Sequence, residues 1–141
     1  MKVVIDTNVL LRSISKHNPE RVIYDAFSDK KFTWVVSNEI LSEYAEIISD
    51  RYSVRTMEII LTIILQSKNH QRFEPSFKWQ LVTADPDDNK FVDCALGANV
   101  DYLVSDDKHI KNLLKISNLF PPVPIVTFKQ FSQLMKLKAK V

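Results

Sequence analysis

Short apolar blocks separated by polar breaks set the rhythm of the chain. Val3, Val4 and Ile5 run into Asp6, and residues 32 to 36 read FTWVV. Such brief β-branched and aromatic runs suit strands buried on both faces. This predicts strands at Lys2–Asp6 and Phe32–Val36, with further short ones at Tyr102–Ser105 and Ile125–Val126. Helical periods lie between them. Pro19 and Glu20 open a helix through Phe27. Ser37 or Asn38 caps one reaching about Ile48. Val54–Gln66 is strongly apolar, and Asp88–Ala98 is helical with Gly97 where a C-terminus is expected. Asp106–Leu114 follows, and Thr127 with Gln130 forms a capping box for a last helix to about Leu137. Residues 71 to 86, broken by Pro75 and Pro86, read as irregular. Strands alternating with helices imply an α/β fold, a parallel sheet covered by helices on both faces.

Two strands end in acids, Asp6 and the Asp106-Asp107 pair. In open α/β sheets, ligands gather outside the carboxyl ends of the strands. An acid there either caps the next helix or binds something. In NEILSEYAEII, at about 100° per residue, Ile40, Leu41, Tyr44, Ile47 and Ile48 share one face. Glu43 stands at the edge of that face, while Glu39 and Glu46 lie toward solvent. In the helix from Asp88, the apolar face consists of Phe91, Val92, Ala95, Leu96 and Ala98. Asp88 falls near its middle, whereas Lys90 and Asp93 fall opposite, facing solvent. Asp88 is either an N-cap, a ligand, or both.

Asp6, Glu43, Asp88 and Asp107 therefore point toward one place. Packed like charges need a counter-charge. An oxygen-only ligand set favours Mg²⁺ or Mn²⁺, one or two ions, and such ions act on phosphate esters. No Cys/His cluster offers zinc a site: His17, His70 and His109 are scattered and read as surface residues. Asp106 competes with Asp107 as the fourth ligand. Arg12, Lys16, Lys90, Lys108 and Lys111 follow the strand ends and can meet phosphates as exposed point charges.

Composition narrows the field further. The 141 residues suffice for one domain, 1–141, with 45% hydrophobic and 26% charged residues. The net charge of +2 argues neither for nor against nucleic acid. A lone cysteine, Cys94, precludes an internal disulfide framework and fits a reducing cytoplasm. The single glycine, Gly97, excludes a P-loop and a dinucleotide fingerprint. The longest apolar stretch, IILTIIL at 59 to 65, is far short of a membrane span, and a soluble cytoplasmic protein with no membrane partner is expected. The tail KLKAKV, 136–141, reads as a solvated end.

VVIDTNVLL, SNEILSEYAEII, DPDDNKFVDCAL and DYLVSDDKHI, in that order and spacing, resemble a PIN domain. The prokaryotic subgroup of toxin–antitoxin toxins related to VapC-type ribonucleases is the most similar. The resemblance implies a Rossmann-like α/β/α sandwich and a metal-dependent endoribonuclease. It maps the family's acids onto Asp6, Glu43, Asp88 and Asp107, and bracing polar positions onto Asn8 and Ser105. Asp106 stands where the subgroup more often has glycine, and His109 where a further acid is common. The resemblance also implies an RNA substrate, a homodimer and an antitoxin partner; the apolar helix 54–66 is either buried in its own core or packs on another chain. Two rivals remain. A phosphatase using Asp6 as nucleophile wants a second acid two residues on, where Asn8 stands. A non-catalytic RNA-binding or scaffold module would need no acid set.

Overall fold

The apolar blocks become strands β1 (Lys2–Ile5), β2 (Thr33–Val36), β4 (Tyr102–Val104) and β5 (Ile125–Val126) in the computed structural model, which describes residues 1–139. A fifth strand, β3 (His70–Arg72), lies where the sequence reads as the edge of an irregular segment, and it takes His70 out of its expected loop. It is only three residues long, and its HQR, half-buried at His70 and Gln71 and exposed at Arg72, carries no apolar alternation to announce it. All four strand pairings are parallel, in the order β3-β2-β1-β4-β5. The strand order reverses beside β1, so the carboxyl ends of β1 and β4 frame the crevice where ligands collect in such sheets.

Among the described residues seven helices cover the sheet: α1 (Thr7–Ile14), α2 (Arg21–Ser28), α3 (Asn38–Arg51), α4 (Val54–Gln66), α5 (Asn89–Gly97), α6 (Lys108–Lys111) and α7 (Phe128–Leu134). The result is the expected α/β/α sandwich around a parallel sheet. Helix α1 has no counterpart in the sequence reading. It begins in the polar triplet at Asp6 and runs only eight residues, too short for a clear period. Ser37, not Asn38, caps α3, its hydroxyl accepting from the Ile40 amide at 3.2 Å. The Thr127–Gln130 capping box is present, and α7 ends at Leu134 rather than Leu137. Helix α6 is a single turn continued by a 3₁₀ segment, Asn112–Lys115. The tail 136–141 extends beyond the described residues.

Gly97 does not end α5 by a left-handed turn; Asn99 takes the positive φ there, at 52°. Glycine at 97 serves packing instead, since a Cβ would lie 2.5 Å from Cε1 of Phe73. Helix α4 is enclosed on one side only: Ile60 and Ile64 are buried, while Val54 and Ile59 stand about half in water. Burial in the chain's own core therefore does not account for its apolar surface.

Val3, Val4 and Ile5 of β1 are fully buried, as are Val35, Val36, Leu103 and Val104 on either side. Trp34 and Tyr44 lock α3 onto this centre. The Tyr44 hydroxyl donates to the Ile5 carbonyl and accepts from Trp34 Nε1 at 3.3 Å. Tyr44→Phe would leave both buried groups unpaired next to Asp6, a loss of about 2 kcal/mol. Urea denaturation of the variant should show that loss; unchanged stability would mean the hydroxyl is dispensable.

Candidate active site

The end of β1 fixes the first acid. Asp6 is 4% exposed, its amide donating to the Val104 carbonyl at 3.0 Å. Its Oδ2 accepts from the Ser105 hydroxyl at 2.9 Å. The same hydroxyl accepts from the Asp107 amide at 3.0 Å. One buried oxygen thus ties the carboxyl ends of β1 and β4 together. Asp107 caps α6, its Oδ1 accepting from His109 and Ile110 amides at 2.8 and 3.2 Å.

Asp106 and Asp107 are separated by their partners. Asp106 turns toward the far edge, where its Oδ1 accepts from the Phe128 amide at 3.1 Å and its Oδ2 lies 3.6 Å from Arg12. Asp107 instead lies close enough to affect both Asp6 and Asp88.

Asp88 stands in the 3₁₀ turn Pro86–Asp88 that leads into α5. It occupies the N-cap position, yet its side chain caps nothing. Its Oδ2 is buried with no hydrogen-bond partner. Burial first, then Asp107, Asp85 and Asp6, raise its carboxyl from 3.8 to about 7. Burial likewise raises Asp6 to about 6; the Ser105 hydrogen bond opposes the rise, and Asp107 and Glu43 add to it.

Glu43 is half-buried on α3 and engaged at both oxygens. Oε2 accepts from the Thr7 hydroxyl, and Oε1 meets Lys90 Nζ at 2.9 Å. Lys90 also reaches Asp87 at 3.2 Å. Burial lowers the Lys90 pKa, but its bonds to Glu43 and Asp87 outweigh that and hold it raised. The sequence placed Lys90 and Asp93 toward solvent; both are corrected. Lys90 is turned inward among the acids, and Asp93 is 6% exposed, its Oδ1 accepting from the Trp79 amide at 3.0 Å. The wheel fails because α5 is covered twice, by β1, β2 and β4 and by the segment after β3. Asn8, expected as a brace, is exposed on α1, and its neighbour Thr7 is the residue that touches an acid. Arg12 and Lys108 are exposed, and Lys111 is half-buried.

The structure thus gathers Asp6, Asp88 and Asp107 by charge, with Glu43 joined through Thr7 and Lys90. Among the described residues, no three His, Cys, Asp or Glu side chains form a ready-made metal shell. The donor set nonetheless fits a hard divalent cation: all oxygen, partly buried, mutually repelling, with one buried carboxylate oxygen unpartnered.

A family model described as PIN domain matches residues 2–109, a span that includes all four acids. No curated protein matches the chain. Two of the solved structures that are similar show the fold. One is described as VapBC2 from Rickettsia felis bound to a DNA fragment from their promoter: 19% identity, TM-score 0.62, over 90% of this chain and 98% of that one. The other is the PIN domain endonuclease Utp24: 18% identity, TM-score 0.55, over 89% of this chain and 84% of that one. At such identities the likeness is one of fold. With the family model matched from β1 to the start of α6, this chain belongs to the PIN domain family.

Proposed function

We propose that the chain is a divalent-metal-dependent endoribonuclease, the toxin half of a toxin–antitoxin pair. The observation that carries this reading is Asp88: a carboxylate with a buried oxygen that no donor reaches, beside three more acids, Asp107, Asp85 and Asp6. Asp6, Glu43, Asp88 and Asp107 would hold one or two Mg²⁺ or Mn²⁺ ions. Such an ion, when bound, activates water and offsets negative charge building on a phosphodiester.

The chain's own groups do the positioning. Ser105 holds Asp6 and Asp107 at a fixed spacing through one hydroxyl. Thr7 holds Glu43. Lys90 neutralises Glu43 while the cluster lacks a cation, and offers its charge to a phosphate oxygen when the cluster holds one. Arg12 and Lys108, exposed beside the strand ends, are further phosphate contacts. The exposed apolar side of α4, with Val54 and Ile59, suits a second copy of the chain or an antitoxin. Utp24, named an endonuclease, and the VapBC2 complex support the class of activity and of partner. Among the described residues no helix is long and apolar enough to cross a membrane.

The raised acids make stability depend on pH. The folded chain holds the Asp6 and Asp88 protons more tightly than the unfolded chain does. Ionising them on the way from pH 4 to pH 7 therefore costs folding free energy, about 2 kcal/mol for Asp6 alone. In EDTA, the urea midpoint should be higher near pH 5 than near pH 7.5, and Asp6→Asn should flatten that slope. Mn²⁺ should raise the melting temperature of the wild type at pH 7.5 and not that of Asp6→Asn. A metal-free wild type with pH-independent stability would refute the electrostatic cluster.

Cleavage of labelled single-stranded RNA with Mn²⁺ or Mg²⁺ tests the activity directly. Asp6→Asn and Asp88→Asn should each lose it by about a hundredfold or more while remaining folded. Full activity in either variant would refute the reading. Binding without cleavage under any metal would replace it by a non-catalytic RNA-binding module. Light scattering at micromolar concentration should find a dimer; a monomer would refute self-association.

A further inference from the structure

The segment between β3 and Pro86 has no regular structure, yet it is fastened at three points. The Glu74 carboxylate accepts from the Asn38 amide at 2.9 and 3.2 Å. The Trp79 amide donates to Asp93. The Asn89 side chain holds both polar groups of the Val82 backbone, at 2.8 and 3.0 Å. Asn89 and Asp93 stand four residues apart on α5 and so share a face. Val82 is buried as the apolar anchor of this strap.

What the strap presents is Phe77-Lys78-Trp79. Phe77 is 58% exposed, and its ring lies 4.4 Å from that of Trp79, centroid to centroid, tilted by 58°. A fastened loop that keeps a phenylalanine in water beside a second ring presents π-faces to something outside. Beside it lies a cleft of about 480 Å³ that Lys78, Asp87 and Lys90 line among others, and that Phe77 and Trp79 do not. Lys90 and Asp87 connect that cleft to Glu43 in the acid centre. Of the four acids on the cleft wall, Glu74 and Asp93 accept from backbone amides, Asp87 meets Lys90, and Glu39 is exposed at the start of α3. An aromatic face beside a cation is the apparatus that holds an unpaired base and its phosphate.

We propose that the Phe77-Lys78-Trp79 strap is a stacking subsite for an unpaired nucleobase, with Lys78 on its phosphate, beside the acid centre. The placement next to a scissile phosphodiester rests on the nuclease reading; the stacking does not. Bases within a duplex are already stacked and paired, so the strap selects single-stranded nucleic acid.

The chain has two tryptophans, and Trp34 is buried, so quenching by a ligand reports Trp79. The full-length protein in EDTA would be titrated with a single-stranded oligouridylate dodecamer, its deoxy counterpart, and a blunt RNA hairpin. Saturable quenching by a single strand and little by the hairpin is expected. Phe77→Ala should bind roughly tenfold more weakly, and Lys78→Ala should flatten the salt dependence. Because Trp79→Ala can loosen the strap, Trp79→Phe, read by anisotropy of a labelled strand, should keep most of the affinity. The RNA and DNA arms show which backbone is accepted. No quenching by either single strand, equal quenching by the hairpin, or wild-type affinity in Phe77→Ala would each overturn the subsite. Metal-dependent cleavage with unchanged KM in Phe77→Ala would sink the subsite and leave the nuclease reading standing. Stacking without cleavage under any metal would do the reverse.

Discussion

Everything at the crevice follows from burying the carboxylate of Asp6 at the end of the central strand. A carboxylate with 4% exposure must be bonded, neutralised or balanced by a cation. The fold supplies one hydroxyl, from Ser105, and then brings further acids rather than a base. That choice destabilises the bare site and prepares it for positive charge. Lys90 supplies charge at the Glu43 side of the cluster only. The deficit falls on Asp88, whose buried oxygen has no partner.

The scaffold tolerates this because its supports lie in the buried core around the crevice. Tyr44 fastens α3 to the last carbonyl of β1, and Trp34 fastens Tyr44. Phe27 meets Trp34 and Phe32 meets Phe131 edge to face, while Phe27 and Phe32 are tilted by 43°. Helix α5 carries the two roles on opposite sides. Phe91, Val92 and Ala95 meet the core, while Asn89 and Asp93 hold the strap that carries Phe77 and Trp79.

Much of this was legible in the chain, and the failures share a cause. Strand blocks, the Ser37 cap and the Thr127–Gln130 box are written in local residue chemistry, so they could be read. Asp6, Glu43, Asp88 and Asp107 could be singled out because strand ends and helix faces are local geometry too. Asp93, Lys90 and Thr7 could not be placed, since their surroundings come from distant segments. A helical wheel assumes one buried face, and α5 has two. The signal that was available was the i, i+4 pair Asn89 and Asp93, polar residues at a spacing suited to gripping a passing backbone. Helix α1 was missed because it opens in polar residues and is short, its register being set by packing on α2 and α3.

The central strand bonds on one side to β2 and on the other to β4, and Ser105 lies 99 positions beyond Asp6. The ribosome therefore delivers Asp6 and Glu43 long before the hydroxyl that orders the first of them, and Asp88 shortly before it. Until β4 emerges, β1 has an open edge and the three acids have no common frame. A polypeptide interrupted anywhere before residue 105 is incomplete at its chemistry, not merely at its tail. Order of synthesis thus follows the topology: the crevice comes into being only once β4 and Ser105 have been made.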